Sequence, residues 1–216
     1  MVMALRPVDW SVIIVGRWNR SIFTPERIGK RMLGLEDPQG LEVMVPLDGI
    51  SPYFVKHPQK GIIVSTEATR LQVRPEKPDY ASLALAMEAG VKALAWLPET
   101  PVSAAGFNVN FRTDESTADL ARLLQSGVDA QLGGLGHNIL ARSLGRSVPF
   151  GDGRLNLAFA QEGDDFRFKC NFHRESSNPE DLKQWLCTPV SQIEGTLVTL
   201  LKAFDLETEE GADVAD

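Results

Sequence analysis

The chain has few of the residues that most often carry chemistry or cross-links. Its 216 residues include only two cysteines and three histidines. No apolar run approaches the roughly 18 residues that a membrane-spanning helix needs. The first residues also lack the apolar core and small-residue cleavage site of a secretory signal. We therefore expect a cytoplasmic protein without membrane association, in which Cys170 and Cys187 are free thiols.

Motifs for common cofactors and catalytic groups are also missing. His57, His137 and His173 lie in no H-E-x-x-H pattern, and in a strand Cys170 and His173 would point to opposite faces. The glycine cluster at residues 133–136 lacks the lysine of a phosphate-binding loop and predicts a flexible connector. We expect no catalytic residue set, no metal and no cofactor.

The net charge of −7 is concentrated at one end of the sequence. Six acidic residues there have no basic neighbour: Asp205, Glu207, Glu209, Glu210, Asp213 and Asp216. The other 23 acidic and 22 basic residues nearly balance. We expect an acidic, disordered tail over residues 207–216. The near-neutral remainder makes nucleic acid an unlikely partner, because such binding needs concentrated lysine and arginine.

The sequence is rich in amphipathic segments, which are clearest at residues 61–111. Two short β-rich runs at residues 62–64 and 71–73 predict a hairpin. Asp79 then caps a helix. The helix has its apolar stripe at helical spacing: Leu83, Met87, Gly90, Val91 and Leu94. In the strand that follows, alternate residues are apolar: Ala105, Phe107, Val109 and Phe111.

The first half predicts the order β-α-β4-α. A buried strand at residues 12–15 precedes a helix capped by Thr24, with Pro25 at its first position. Gly34 is suited to a left-handed helix terminator. Runs at residues 41–45 and 53–55 predict two further strands before the hairpin.

The second half repeats this order more weakly. Ser116 predicts a helix cap, Leu120, Leu123 and Leu124 predict its apolar face, and Gly127 follows its end. Strands are then predicted at residues 139–148, 155–159 and 166–172, with a turn at Gly163. Two helices complete the half, at residues 179–186 and along the stripe that contains Ile193, Leu197, Leu200, Leu201 and Phe204.

These elements predict an α+β fold in which helices pack on one face of an antiparallel sheet. The halves are residues 1–98 and 99–206, packed as one globular unit. They are either pseudo-repeats of a β-α-β(3–4)-α unit or parts of one continuous domain without repeats.

The order β-α-β4-α, given twice, resembles the duplicated fold of the TATA-box-binding protein. The run from Gly61-Ile62-Ile63-Val64 through Leu94 to Gly106-Phe107-Asn108-Val109-Asn110 is also similar to a sporadically distributed bacterial family. That family implies no activity for this chain, and a fold alone does not imply function.

Two groups of residues are candidates for binding. Arg17, Trp18 and Arg20 lie between a strand and a helix start, where they could hold an anion; the alternative is an ordinary loop with solvated arginines. The second group is the polar strand face with Asn108, Asn110 and Arg112.

The sequence leaves three functions open. The first is a non-catalytic binding or assembly module that acts through the open sheet face or a homodimer interface. The second is a small-ligand-binding protein with a cavity between the sheet and the long helix, near Gly90. The third is an enzyme of unassigned class that uses Arg17, Arg20 and His137. A homo-oligomer, a protein partner or a small molecule would fit these readings.

Overall fold

The computed structural model describes residues 3–48, 51–114 and 122–208. Ten strands in these ranges form one sheet: β1 Met3–Gly16, β2 Glu42–Met44, β3 Phe54–His57, β4 Ile62–Thr66, β5 Arg70–Pro75, β6 Val102–Thr113, β7 Ala141–Phe150, β8 Gly153–Glu162, β9 Asp165–Glu175 and β10 Leu206–Thr208. The helices include α1 Pro25–Arg27, which continues as a π-helical turn at Ile28–Met32, then α2 Tyr80–Trp96, α3 Gly127–Gly134, α4 Pro179–Leu186 and α5 Val190–Ala203. The predicted α+β class with an antiparallel sheet is therefore confirmed.

The sheet is built outward from its two long central strands. The strand order is β2-β3-β4-β5-β1-β6-β9-β8-β7, and neighbours along this path are antiparallel. β1 and β6 pair from Arg6 opposite Arg112 to Gly16 opposite Val102. β10 adds a short parallel pair to the start of β1. The two halves of the chain thus share a single sheet.

Helices cover one face of this sheet, and the core lies between them. The apolar residues on one face of β6 and of β9 are all fully or almost fully buried: Ala105, Phe107, Val109, Phe111, Phe166, Phe168, Cys170 and Phe172. Trp185 of α4 stacks on Phe107, with ring centroids 5.9 Å apart. A methyl group at Gly90 of α2 would lie 3.0 Å from Leu186 and 3.3 Å from Val12. Glycine therefore lets α2 pack closely against β1 and α4.

The two helix caps predicted in the first half are present. Thr24 Oγ1 accepts a hydrogen bond from the Arg27 amide at 3.4 Å, and Asp79 accepts one from the Ser82 amide at 2.7 Å. Gly34 has a φ of +68°, the left-handed conformation expected for it. Local sequence thus determines where the helices of the first half begin and end.

β1 is much longer than the strand predicted at residues 12–15. It begins at Met3 and contains a bulge, since Val8 pairs with Asn110 while Ser11 pairs with Asn108. Asp9, inside the bulge, has a φ of +51°. The extra residue breaks the alternation of apolar and polar side chains, so the pattern of the early residues does not read as a strand.

The second half departs from prediction in two places. Residues 127–134 form helix α3, although the sequence predicted a helix end at Gly127 and a flexible connector at residues 133–136. The predicted cap Ser116 and Leu120 lie outside the described residues, while Leu124 is buried. The predicted tail is corrected at its start, because Glu207 and Thr208 belong to β10; residues 209–216 lie outside the described ranges.

Candidate binding surface

The face of the sheet opposite the helices, here called the open face, carries the polar side chains of the strands. In β6 it presents Asn108, Asn110 and Arg112, whose neighbours Val109 and Phe111 point into the core. Cross-strand partners in a sheet point to the same side, so the register carries this polarity from β6 onto β9, β8 and β7. The open face is thus mainly polar on β6 and β9, and on β8 it also includes Ala158 and Ala160.

A row of hydrogen-bonded side chains, here called the amide ladder, crosses the open face. Asn108 Nδ2 donates to Ser11 Oγ at 3.1 Å, and Asn171 Nδ2 donates to Asn108 Oδ1 at 2.8 Å. Asn156 Nδ2 donates to Asn171 Oδ1 at 2.9 Å, and Ser147 Oγ donates to Asn156 Oδ1 at 2.6 Å. All four bonds join directly opposed residues, so the row runs across β1, β6, β9, β8 and β7.

The asparagine side chains of the ladder keep donors and acceptors that the ladder bonds do not use. Each asparagine amide has two N–H donors and a carbonyl oxygen with two lone pairs, and the ladder uses one donor of each amide. Asn108, Asn156 and Asn171 are only half-buried. Their positions recur at the strand spacing of about 4.8 Å. The row can therefore offer a regular set of donors and acceptors to a surface laid against it.

Ion pairs flank the ladder towards the end of the sheet at Asp165. Arg112 Nε lies 2.6 Å from Asp165 Oδ1, and Arg167 Nε lies 2.7 Å from Asp165 Oδ2. Partial burial opposes ionisation of Asp165, but the hydrogen bonds from Arg167 and Arg112 outweigh it and hold the pKa of the carboxyl below its usual value. Arg6 adds a contact with Asp114 at 2.8 Å.

A second ion cluster lies on the other side of the ladder. His173 Nε2 and Arg154 lie 3.3 Å and 2.6 Å from the same oxygen of Glu175. These two hydrogen bonds, His173 first, lower the pKa of Glu175. Between the two clusters Lys169 is exposed, opposite Asn110 and outside the ion pairs formed by the described residues. Most of the charged side chains beside the ladder are thus in ion pairs, with cations in a small excess over carboxylates.

The structure brings three of the predicted binding residues together on the open face. Asn108 belongs to the amide ladder, and Arg112 belongs to the Asp165 cluster. Asn110 Nδ2 donates to the Asp9 carbonyl at 3.0 Å, which stabilises the bulge in β1. Asn110 therefore has a structural bond as well as a place on the face.

The second predicted group, at Arg17, Trp18 and Arg20, is partly wrong. Arg17 and Arg20 are exposed, but Trp18 is only 4% exposed. Its Nε1 donates to the Ile14 carbonyl at 3.2 Å, and its ring meets Phe23 edge to face at 5.6 Å. A binding site that uses the indole would need it at the surface, but its ring packs into the core against Phe23.

The residues suggested for an enzyme are not brought together. Arg17 and Arg20 follow β1, beside the start of β6, where Arg17 N–H bonds to the Pro101 carbonyl at 2.8 Å. His137 precedes Ala141, whose row lies at the opposite end of the sheet, next to Glu162 and Asp165. About nine strand residues separate the two ends, which is about 30 Å.

Two grooves of the described surface lie away from α2. One of about 330 Å³ is lined by Phe150, Asp152, Arg174, Trp185 and Cys187, among others. Another of about 220 Å³ lies at the ends of β7 to β9. Among the described residues, no group of three or more His, Cys, Asp or Glu is placed to hold a metal ion. Cys170 and Cys187 are free thiols.

Sequence reasoning missed four of the five ladder residues as binding candidates: Ser11, Ser147, Asn156 and Asn171. Three asparagines in the middle of neighbouring strands are a usable signal, because asparagine is depleted in strands. Only the strand register, however, shows that they form one row.

No helix in the described ranges is both long and apolar enough to cross a membrane.

Comparisons with known proteins give little further information. No protein-family model matches the chain, and no curated protein matches it. Among solved structures, it is similar to the TBP of Methanococcus jannaschii, with 11% sequence identity and a TM-score of 0.28. That alignment covers 89% of this chain and 99% of the TBP chain. The likeness is a weak one at the level of topology.

Proposed function

We propose that the protein is a non-catalytic binding or assembly module whose binding surface is the open face of the sheet. The amide ladder is the observation that carries this proposal. It places Asn108, Asn171 and Asn156 in one hydrogen-bonded row on a face that no described helix covers. β-branched or aromatic residues would favour these strands more, so asparagine at these positions fits recognition better than stability.

The charge of the open face favours a neutral, polar partner. Asp114, Asp165 and Glu175 pair with the arginines around the ladder, while Lys169 and, on β5, Arg74 are exposed cations outside the ion pairs of the described residues. Binding to a polyanion needs a cluster of unpaired positive charges, and two separate cations do not form one, so nucleic acid does not fit. A protein surface does, and a second copy of this chain is one such surface. We place this activity in the cytoplasm, in keeping with two free thiols.

Affinity capture from an extract of the host cells tests this function. The bait is the wild-type chain, and Asn171→Leu is the test variant, because it removes two ladder bonds and keeps a side chain of similar size. Glu194→Ala, exposed on α5, is the control on the covered face. A 20-base-pair DNA duplex is titrated in parallel.

We expect one protein to be retained by the wild type and by Glu194→Ala at both about 150 mM and about 500 mM salt, since a neutral contact is little screened. Asn171→Leu should lose it, and the duplex should not bind. Retention of that protein by Asn171→Leu, or tight binding of the duplex, would contradict the proposal.

We also propose that the two halves arose by duplication. Support comes from the strand order, which reads β1-β5-β4-β3-β2 outward on one side of the centre and β6-β9-β8-β7 on the other. An experimental structure tests this by superposition of residues 1–98 on 99–206. Overlay of β1 on β6, β5 on β9 and β4 on β8 with the same helix positions is expected; overlay of the strands without the helices would count against duplication.

A further inference from the structure

The outer edge of β7 is long, regular and free of a partner strand in the described part of the chain. β7 spans ten residues and ends the strand order. Its pairing with β8 shows no register shift from Ala141 to Phe150. Proteins usually protect sheet edges with short strands, bulges or covering helices. β7 has only arginines and one proline as edge protection.

The hairpin geometry shows which backbone groups of β7 point outward. Phe150 and Gly153 flank the two-residue turn, and Gly151 has a φ of +49°. In such a hairpin the flanking residues exchange backbone hydrogen bonds, so every second residue back from Phe150 also bonds to β8. The residues between them direct their N–H and C=O groups outward: Ala141, Ser143, Gly145, Ser147 and Pro149. Proline at an outward position fits this assignment, since it has no N–H to leave unpaired.

We propose that β7 pairs with β7 of a second copy of this chain, antiparallel and about a two-fold axis at Gly145, so that two sheets join into one. This proposal specifies the assembly part of the proposed function and uses a different surface from the open face. In this register Gly145 faces Gly145 of the copy, and Ser143 faces Ser147. Together with Ala141 opposite Pro149, these pairs make about eight backbone hydrogen bonds.

Side-chain chemistry selects this register over its neighbours. With the axis at Gly145, Leu144 lies opposite Arg146 and Arg142 lies opposite Val148. A shift of the axis to residue 144 or 146 would place arginine directly opposite arginine, which destabilises a strand pair. Ser143 opposite Ser147 allows a hydroxyl hydrogen bond and extends the polar row of the open face into the second copy.

Exposed apolar residues near β7 fit the same arrangement. The ion pair between Arg142 and Asp129, at 2.6 Å, fixes the start of α3 beside the first residues of β7. Val128 of α3 is 58% exposed, and Val148 is 39% exposed. Arg142 holds α3 and lies opposite Val148 of the copy. Pairing would therefore bring Val128 of one copy close to Val148 of the other and remove both side chains from water.

A cysteine at the proposed axis tests the register directly. Residues that exchange backbone hydrogen bonds have Cα atoms about 5.5 Å apart, within the range that a disulfide spans. Position 145 has room for a side chain, because a methyl group there would lie 3.9 Å from its nearest neighbour. In a Cys187→Ser background, Gly145→Cys should cross-link two copies on mild oxidation. Ser143→Cys is the matched control, since the 143 positions of two copies would lie about 13 Å apart.

Sedimentation of the full chain then tests the assembly. We expect the wild type to have twice the 23.7 kDa mass of one chain. Gly145→Pro, which removes only outward N–H groups, and Gly145→Asp, which opposes two carboxylates, should each weaken the dimer roughly 100-fold. Circular dichroism and melting temperature confirm that both variants remain folded.

The outcomes separate this proposal from the proposed function. A monomeric wild type, a dimer that survives both Gly145 variants, or equal cross-linking by Ser143→Cys would each overturn the β7 pairing. If Asn171→Leu dissociated the dimer while Gly145→Pro did not, the open face would be the self-association surface. The proposed function would then stand and the edge pairing would fail.

Discussion

The two edge strands of the sheet differ in length. β2, at one end, spans three residues, Glu42–Met44. β7, at the other end, spans ten, and β7 and the neighbouring α3, like β2, contain no buried residue. The strands just inside both ends are well buried: Val55 of β3 and Leu155 of β8 are at most 1% exposed. A short strand leaves few free backbone groups, whereas a long one leaves a template for pairing.

This contrast is the one expected if the end at β7 pairs with a second copy of the chain, as proposed above. A fold can protect an edge by keeping it short, as β2 does, and the second half has not done so. Stability should therefore come from the core shared by both halves, and the outer part of the second half should contribute little to it. The predictions below test this division from the largest expected effect to the smallest.

Truncation of the core should be far more costly than truncation near β7. Phe172 is fully buried, between Phe107 at 4.8 Å and Phe150 at 4.8 Å. Phe172→Ala should lower the free energy of unfolding by about 3–5 kcal/mol, because it removes a large apolar side chain and leaves a cavity. Leu132→Ala, on α3, should change it by less than about 0.5 kcal/mol. Urea denaturation measures both, and similar losses would remove the distinction between core and outer end.

The amide ladder should contribute an intermediate amount. Asn171→Leu leaves the Asn108 carbonyl and one Asn156 N–H without their ladder partners. We expect a loss of about 1–2 kcal/mol, because these groups are half-buried and water replaces the lost bonds only in part. Lys169→Leu, on the same face of β9 but outside the ladder, is the control and should change stability by less than about 0.5 kcal/mol. An equal loss in both variants would mean that the ladder has no energetic role.

The sequence predicted most of the helices and strands because local chemistry determines them. Asp79 caps α2, and alternation in β6 separates Phe107 and Val109 from Asn108. Helix α3 was missed because its three glycines lower helix propensity. The length of β1 was missed because a bulge at Asp9 interrupts the alternation.

The candidate surface could be predicted only in part. The alternation in β6 predicted Asn108 on a polar face, and in the structure Asn171 of β9 lies directly opposite it. That they meet is a consequence of register between segments about sixty residues apart, which no local pattern encodes. Trp18 shows the opposite failure: it looked like a loop residue, and only tertiary packing against Phe23 shows it to be core.

The helix caps should contribute equally to the free energy of unfolding in both halves. Equal contributions would confine the difference in stability to the outer end of the second half. Asp79 caps α2 through the Ser82 amide at 2.7 Å, and Asn178 caps α4 through the Glu180 amide at 3.1 Å. Each alanine variant should lose about 1 kcal/mol of unfolding free energy, since the amide of the first turn loses its acceptor. A much smaller loss for Asn178→Ala, by thermal or urea denaturation, would show that the whole second half is loosely held.

The smallest effect should come from the ion pair that holds α3 beside β7. The hydrogen bond from Arg142 lowers the pKa of Asp129 below its usual value of 3.8. A depressed pKa stabilises the folded state above pH 3.8, and this contribution is lost as the pH falls through the depressed pKa. Carboxyl NMR should therefore show Asp129 titrating below 3.8, with α3 amide signals shifting at the same pH. Arg142→Gln should raise the pKa of Asp129 towards its usual value, while the hydrogen bonds with Ser126 continue to lower it. Unchanged titration in that variant would mean that α3 is held by other contacts, and the outer end would then be less open than the comparison of the two edges implies.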